Sequence, residues 1–70
     1  MNWKRIANSL VTDDGYTISW DSAGQPRYYT AYRPGGRDGA HELGAGAGDL
    51  GLAKCKRLCE RHLEDLTINS

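Results

Sequence analysis

Apolar positions recur with two different periods along this chain. Between residues 52 and 66, Leu52, Cys55, Leu58, Cys59, Leu63 and Leu66 fall at helical spacing. At about 100° per residue they occupy an arc of roughly 140°, with His62 inside it. Lys54, Lys56, Arg57, Glu60, Arg61, Glu64 and Asp65 fill the rest of the circumference. This spacing predicts a half-buried amphipathic helix over residues 50–66, in which Arg61 and Asp65 can pair one turn apart. Asp49 is placed to cap it, its carboxylate accepting from the free amides of the first turn. Gly51 weakens that turn without forbidding it.

Upstream the period changes to two. Gly15-Tyr16-Thr17-Ile18-Ser19-Trp20 alternates apolar and polar residues of β-forming type, which predicts a strand over 15–20. Asp21-Ser22-Ala23-Gly24-Gln25-Pro26 is turn chemistry. Residues 27–33 then predict a second strand, with Tyr28, Tyr29, Thr30, Ala31 and Tyr32 consecutive. Aromatic residues stand on both of its faces, so the pattern leaves open which face meets the helix.

At the N-terminus Trp3, Ile6, Ala7, Leu10 and Val11 have helical spacing, while Asn8, Ser9 and Thr12 favour breaks. A first strand over 3–6 followed by an irregular stretch is expected, with a short helix as the alternative. Asp13-Asp14-Gly15 reads as a turn. Residues 34–51 hold seven of the nine glycines and read as a glycine-rich loop, in which Ala40-His41-Glu42-Leu43 could supply one more strand over 40–43. The expected fold is α+β: a three-stranded antiparallel sheet, four-stranded if 40–43 joins it, packed against one C-terminal α-helix in a single domain spanning residues 1–70.

Composition narrows the function classes. Seventy residues make a domain at the small end, burying only about 60% of the surface its unfolded chain exposes. With 39% hydrophobic and 26% charged residues, the chain lacks the signature of disorder. Nine basic residues balance nine acidic ones, which argues against a dedicated nucleic-acid module, whose affinity comes largely from neutralising phosphates. No apolar run approaches the ~20 residues of a membrane span, and Met1-Asn2-Trp3-Lys4-Arg5 does not open a signal peptide. A cytoplasmic location is expected, with the two cysteines as thiols.

Candidate chemistry is sparse. Cys55, Cys59 and His62 share one helix face, and His41 could complete a Cys2His2 set; zinc sites of that kind ordinarily include a close pair on a turn. Two small thiols facing the sheet explain the spacing equally simply, and no metal or other cofactor is expected. Gly44-Ala45-Gly46-Ala47-Gly48-Asp49 lacks the Gly-Lys-Ser/Thr of a phosphate loop, and Asp49 opposes an anion. Neither a serine nor a cysteine has a base and acid partner suggested by spacing, so no enzyme is expected. The hairpin holds the best candidates: Arg27, Tyr29, Arg33 and Arg37 could share one face beside Thr17 and Ser19, and Tyr and Arg dominate protein interfaces.

The order of motifs resembles a group of short bacteriophage and prophage proteins. It runs from Trp3 through Gly15-Tyr16-Thr17-Ile18, Tyr29-Thr30-Ala31-Tyr32 and Leu43-Gly44 to Ala53-Lys54-Cys55 and Cys59-Glu60-Arg61-His62. More distantly, the strands-plus-helix layout resembles AP2-like and integrase arm-binding DNA domains. The first resemblance implies a non-enzymatic accessory protein that binds a host protein complex stoichiometrically in the host cytoplasm, in the manner of anti-CRISPR and other anti-defence inhibitors. The second implies a DNA-binding module using the sheet around Arg27, Tyr29 and Arg33. A self-associating structural protein, monomer or homodimer in solution, is the remaining alternative.

Overall fold

The structure is a computed structural model, and it describes residues 1–21 and 26–68. Five strands form one antiparallel meander: β1 (Lys4–Ile6), β2 (Ser9–Val11), β3 (Thr17–Trp20), β4 (Tyr28–Tyr32) and β5 (Glu42–Ala47), in spatial order β1-β2-β3-β4-β5. A single helix, α1 (Gly48–Ile68), follows β5 and packs back across β4 and β5. The class is therefore α+β, with five strands where three or four were expected.

The additional strands have local causes. Residues 3–11 form neither a lone strand nor a helix but a tight hairpin, with Lys4 opposite Val11, Arg5 opposite Leu10 and Ile6 opposite Ser9. Ala7 makes the reversal with a φ of 53°, a left-handed conformation uncommon for a residue bearing a Cβ. The next turn is the expected Asp13-Asp14-Gly15. There Thr12 exchanges main-chain bonds with Tyr16 and Gly15, and its hydroxyl accepts from the Tyr16 amide at 3.2 Å. Of the expected turn at 21–26, residues 22–25 lie outside the described residues.

The glycine-rich segment is the largest departure. Only residues 33–41 are irregular; the expected strand at 40–43 is displaced to Glu42–Ala47, and the helix begins at Gly48. Asp49 consequently lies inside the first turn of α1 rather than ahead of it. The Gly-Ala alternation is a period-two strand pattern whose helix-facing side is bare. A Cβ on Gly44 would come 2.5 Å from Leu58 Cδ1, and one on Gly46 would come 2.8 Å from the Gly51 Cα. Glycine there lets helix and strand backbones touch. A bulge at Ala31/Tyr32 sets Glu42 opposite Tyr32.

Register assigns the faces. Leu10, Ile18, Trp20, Tyr29 and Ala31 lie toward the helix, which contributes Gly51, Cys55 and Cys59. Tyr16, Ile18, Trp20, Tyr29, Ala31, Cys55 and Cys59 form the core, bordered by Trp3, Leu10, Leu43, Leu52 and Leu63. At about 1.5 Å per residue a 21-residue helix is about 31 Å long, and a six-residue strand covers about 20 Å. The helix therefore overruns the sheet, leaving Leu66 and Ile68 exposed.

Candidate functional site

The expected cluster of Arg27, Tyr29, Arg33 and Arg37 does not form one exposed face. Tyr29 points under the helix and is 7% exposed. Thr17 and Ser19, expected beside it, are on the opposite side of the sheet, because they pair with Tyr32 and Thr30. Arg27 carries its guanidinium 5.6 Å from the centre of the Trp20 ring, with that of Arg5 at 5.4 Å. Arg33 donates from Nη2 to the Ala40 carbonyl at 2.9 Å, and Arg37 is exposed in the loop. Strand alternation explains the outcome: odd-numbered positions of β4 face the helix and even-numbered ones face away.

That other side is the open face of the sheet. The first cross-strand row runs Lys4, Val11, Thr17, Tyr32 and Glu42, and the second runs Ile6, Ser9, Ser19, Thr30 and Ala45. Tyr28 and Ala47 begin a third. Tyr28 is 59% exposed and Ile6 55%. Ser9 and Thr17 are buried, and the Ser9 and Ser19 hydroxyls stand 3.3 Å apart. Among the described strand residues of this face, Lys4 and Glu42 are the only charges, one on each edge strand. The signal that could have found the face is the polar alternation of Thr17 and Ser19, which marks the solvent side once Tyr28, Thr30 and Tyr32 are registered against it.

The helix turns its two thiols inward while its charged side chains stay on the outer side. Cys55 and Cys59 are fully buried, and Cys55 Sγ lies 3.6 Å from the Tyr29 carbonyl oxygen. Burial pushes both thiols up, Cys59 to about 12 with help from the nearby Cys55 and Glu60. At neutral pH they remain uncharged, which makes them poor nucleophiles and poor ligands. His62, the third member of the expected metal set, is engaged elsewhere: its Nδ1 shares a 2.6 Å hydrogen bond with the Tyr16 hydroxyl, the rings meeting edge to face at 5.6 Å. Burial raises the Tyr16 pKa, with smaller contributions from Cys59 and Asp14. His41, the fourth member, pairs with Asp38 at 2.6 Å in the loop, and that bond lowers the Asp38 pKa.

A cleft of about 400 Å³ opens where β4 meets the start of α1, lined by Pro26, Arg27, Tyr29, Gly48 and Asp49. Its acid and base are both surface groups, and Asp49 places negative charge at the helix N-terminus. No helix among the described residues is long and apolar enough to cross a membrane. Comparison with known protein families, with curated proteins and with solved structures found no match to this chain.

Proposed function

We propose that the chain is a small non-enzymatic protein that binds a partner protein stoichiometrically through the open face of its sheet. In this proposal it acts as a phage-type accessory protein in the host cytoplasm, occluding a host complex in the manner of an anti-defence inhibitor. One observation carries the binding face: Tyr28, Tyr32 and Ile6 stand beside Ser19 and Thr30 on a side of the sheet that the helix leaves bare. Tyrosine set among small hydroxyl residues is the chemistry of binding surfaces, because a rigid amphipathic ring supplies contact area at low entropic cost. A nucleic acid suits this face less well. With one cation and one anion along its strands, few phosphates could be neutralised there.

The test is a complex recovered from host lysate, measured for composition and stoichiometry. A defined protein partner at fixed ratio is expected, and Tyr28→Asp with Tyr32→Asp should abolish recovery while the protein stays folded. A complex that survives both changes would place the interface elsewhere. Titration with random duplex DNA is the second arm. Micromolar binding that weakens steeply with salt would replace this proposal with the AP2-like one.

A further inference from the structure

We propose that the outer edge of β5 is a homodimer interface, two copies pairing β5 with β5 antiparallel about Ala45 into one continuous ten-stranded sheet. This is independent of the open-face proposal. β5 is the longest strand and lies at the edge, and among the described residues nothing pairs with its outer side. The Gly48 amide donates to the carbonyl of its register partner Arg27 at 2.8 Å. In an antiparallel ladder such pairs alternate, so Gly46 and Gly44 bond to β4. The Ala45 amide and carbonyl and the Ala47 amide therefore point away from the sheet.

Natural edges are protected by lysine, proline, shortness or bulges that turn them aside. β1 has such protection, being three residues long with Lys4 and Arg5. Residues 43–47 of β5 carry no proline and no charge, and their side chains beyond Leu43 are hydrogen or methyl. Leu43 is half-buried against the core, and the bulge sits at the far end from Ala47.

The edge is also complementary to itself. A two-fold axis at Ala45 sets Ala45 against Ala45 of the partner copy, where outward donor meets outward acceptor, and brings the Ala47 amide to the partner's bulged Leu43. Gly44 then meets the partner's Gly46, with no side chain between the strands on the helix side. The axis is perpendicular to the sheet, so both helices lie on one face and run antiparallel. The first half of each, where Lys54, Lys56 and Arg57 outnumber Asp49, then runs beside the second half of the other, where Glu60, Glu64 and Asp65 outnumber Arg61. Glu42 comes opposite Gly48 of the partner, at the positive end of its helix. Asp49 in that same turn opposes the approach. One strand pair buries less than the ~1,200 Å² of a standard interface, so the dimer is expected to be weak.

Sedimentation from about 10 µM to about 1 mM covers the affinity range of such an interface. The expected result is a concentration-dependent dimer. Ala45→Pro removes an amide that faces away from β4, and Ala45→Lys places like charges at the axis. Each should weaken dimerisation at least tenfold, two central hydrogen bonds being lost or strained together, with the circular dichroism unchanged. Lys4→Gln, on the opposite edge, and Tyr28→Ser, on the open face, should leave the dimer intact. A wild-type chain that stays monomeric to about 1 mM overturns the proposal, as does a folded Ala45→Pro chain that still dimerises. If these variants do not fold, hydrogen exchange on the wild type decides: Ala45 and Ala47 amides should slow as concentration rises, and concentration-independent exchange overturns the interface.

Discussion

Gly46 and Gly51 meet backbone to backbone: a Cβ on Gly46 would stand 2.8 Å from the Gly51 Cα, and one on Gly51 would run into the Gly46 carbonyl. This contact lets the first turn of α1 lie directly on the edge strand that precedes it. It also brings Leu58 over Gly44 and Cys55 over Tyr29.

Gly51→Ala is therefore expected to destabilise the protein. In an exposed helix the change would contribute about 0.5–1 kcal/mol of stability, but overpacking costs about 1–3 kcal/mol and here displaces backbone rather than a flexible side chain. A net loss of about 2 kcal/mol should appear in urea unfolding. Gly39 is the control, since nothing lies within 4 Å of a Cβ built there. Gly39→Ala should leave the stability unchanged or raise it by roughly 0.4 kcal/mol.

Tyr16→Phe should cost about 1 kcal/mol, because it removes the 2.6 Å bond to His62 while keeping the buried ring. His62→Phe in the same background tests the pairing. If the hydroxyl and the imidazole act as a pair, the double variant loses less than the two single losses combined, and additive losses would dissolve it.

Alkaline pH should destabilise the protein through its buried thiols and Tyr16. The folded-state pKa values of Cys55, Cys59 and Tyr16 are raised above their ordinary values. Their contribution is complete below the unfolded-state values and is lost as pH rises, for Cys59 between its ordinary 9.0 and about 12. A melting temperature followed upward from neutral pH should fall steadily beyond that lower value, and Cys59→Ala should flatten the descent. A profile unaffected by that change would remove Cys59 as the cause.

Neither thiol should react with a disulfide reagent while the protein is folded. Cys55 and Cys59 have no exposed surface, and a thiolate is the reactive species. Modification should proceed at the opening rate of the helix and rise with denaturant along the unfolding curve. Labelling as fast as a free thiol in buffer would mean that α1 detaches from the sheet readily.

How far the chain could be read before folding depended on whether a segment's own side chains carried the pattern. The helix did, because Leu52, Cys55, Cys59 and Leu63 repeat at its period and charges occupy the remainder. β3 and β4 did as well, because Tyr, Thr, Ile and Trp are β-forming and the turn before Thr17 has its own chemistry. β1 and β2 were hidden by length: in three-residue strands period two is scarcely distinguishable from helical spacing, and Trp3, Ile6 and Leu10 fit both. The single face expected of Arg27, Tyr29, Arg33 and Arg37 does not form, for a related reason. Tyr28, Tyr29 and Tyr32 put aromatic rings on both faces of β4, so only pairing with Ile18 and Trp20 could turn Tyr29 inward.

Local chemistry was sufficient for the existence of a sheet and a helix, the hairpin at Tyr16 to Tyr32 and the inward cysteines, since each rests on contacts between near neighbours or on a repeating period. The role of the glycines was settled by packing between distant elements. A glycine has no side chain with which to announce a strand, and the same Gly-Ala run suits a flexible linker or an edge lying beneath a helix. Only when α1 folds back, with Gly51 against Gly46 and Leu58 against Gly44, does the missing Cβ become a requirement. That close approach makes β5 a strand, and it leaves bare the outer edge of β5 and the face around Tyr28 and Tyr32, on which the two proposals rest.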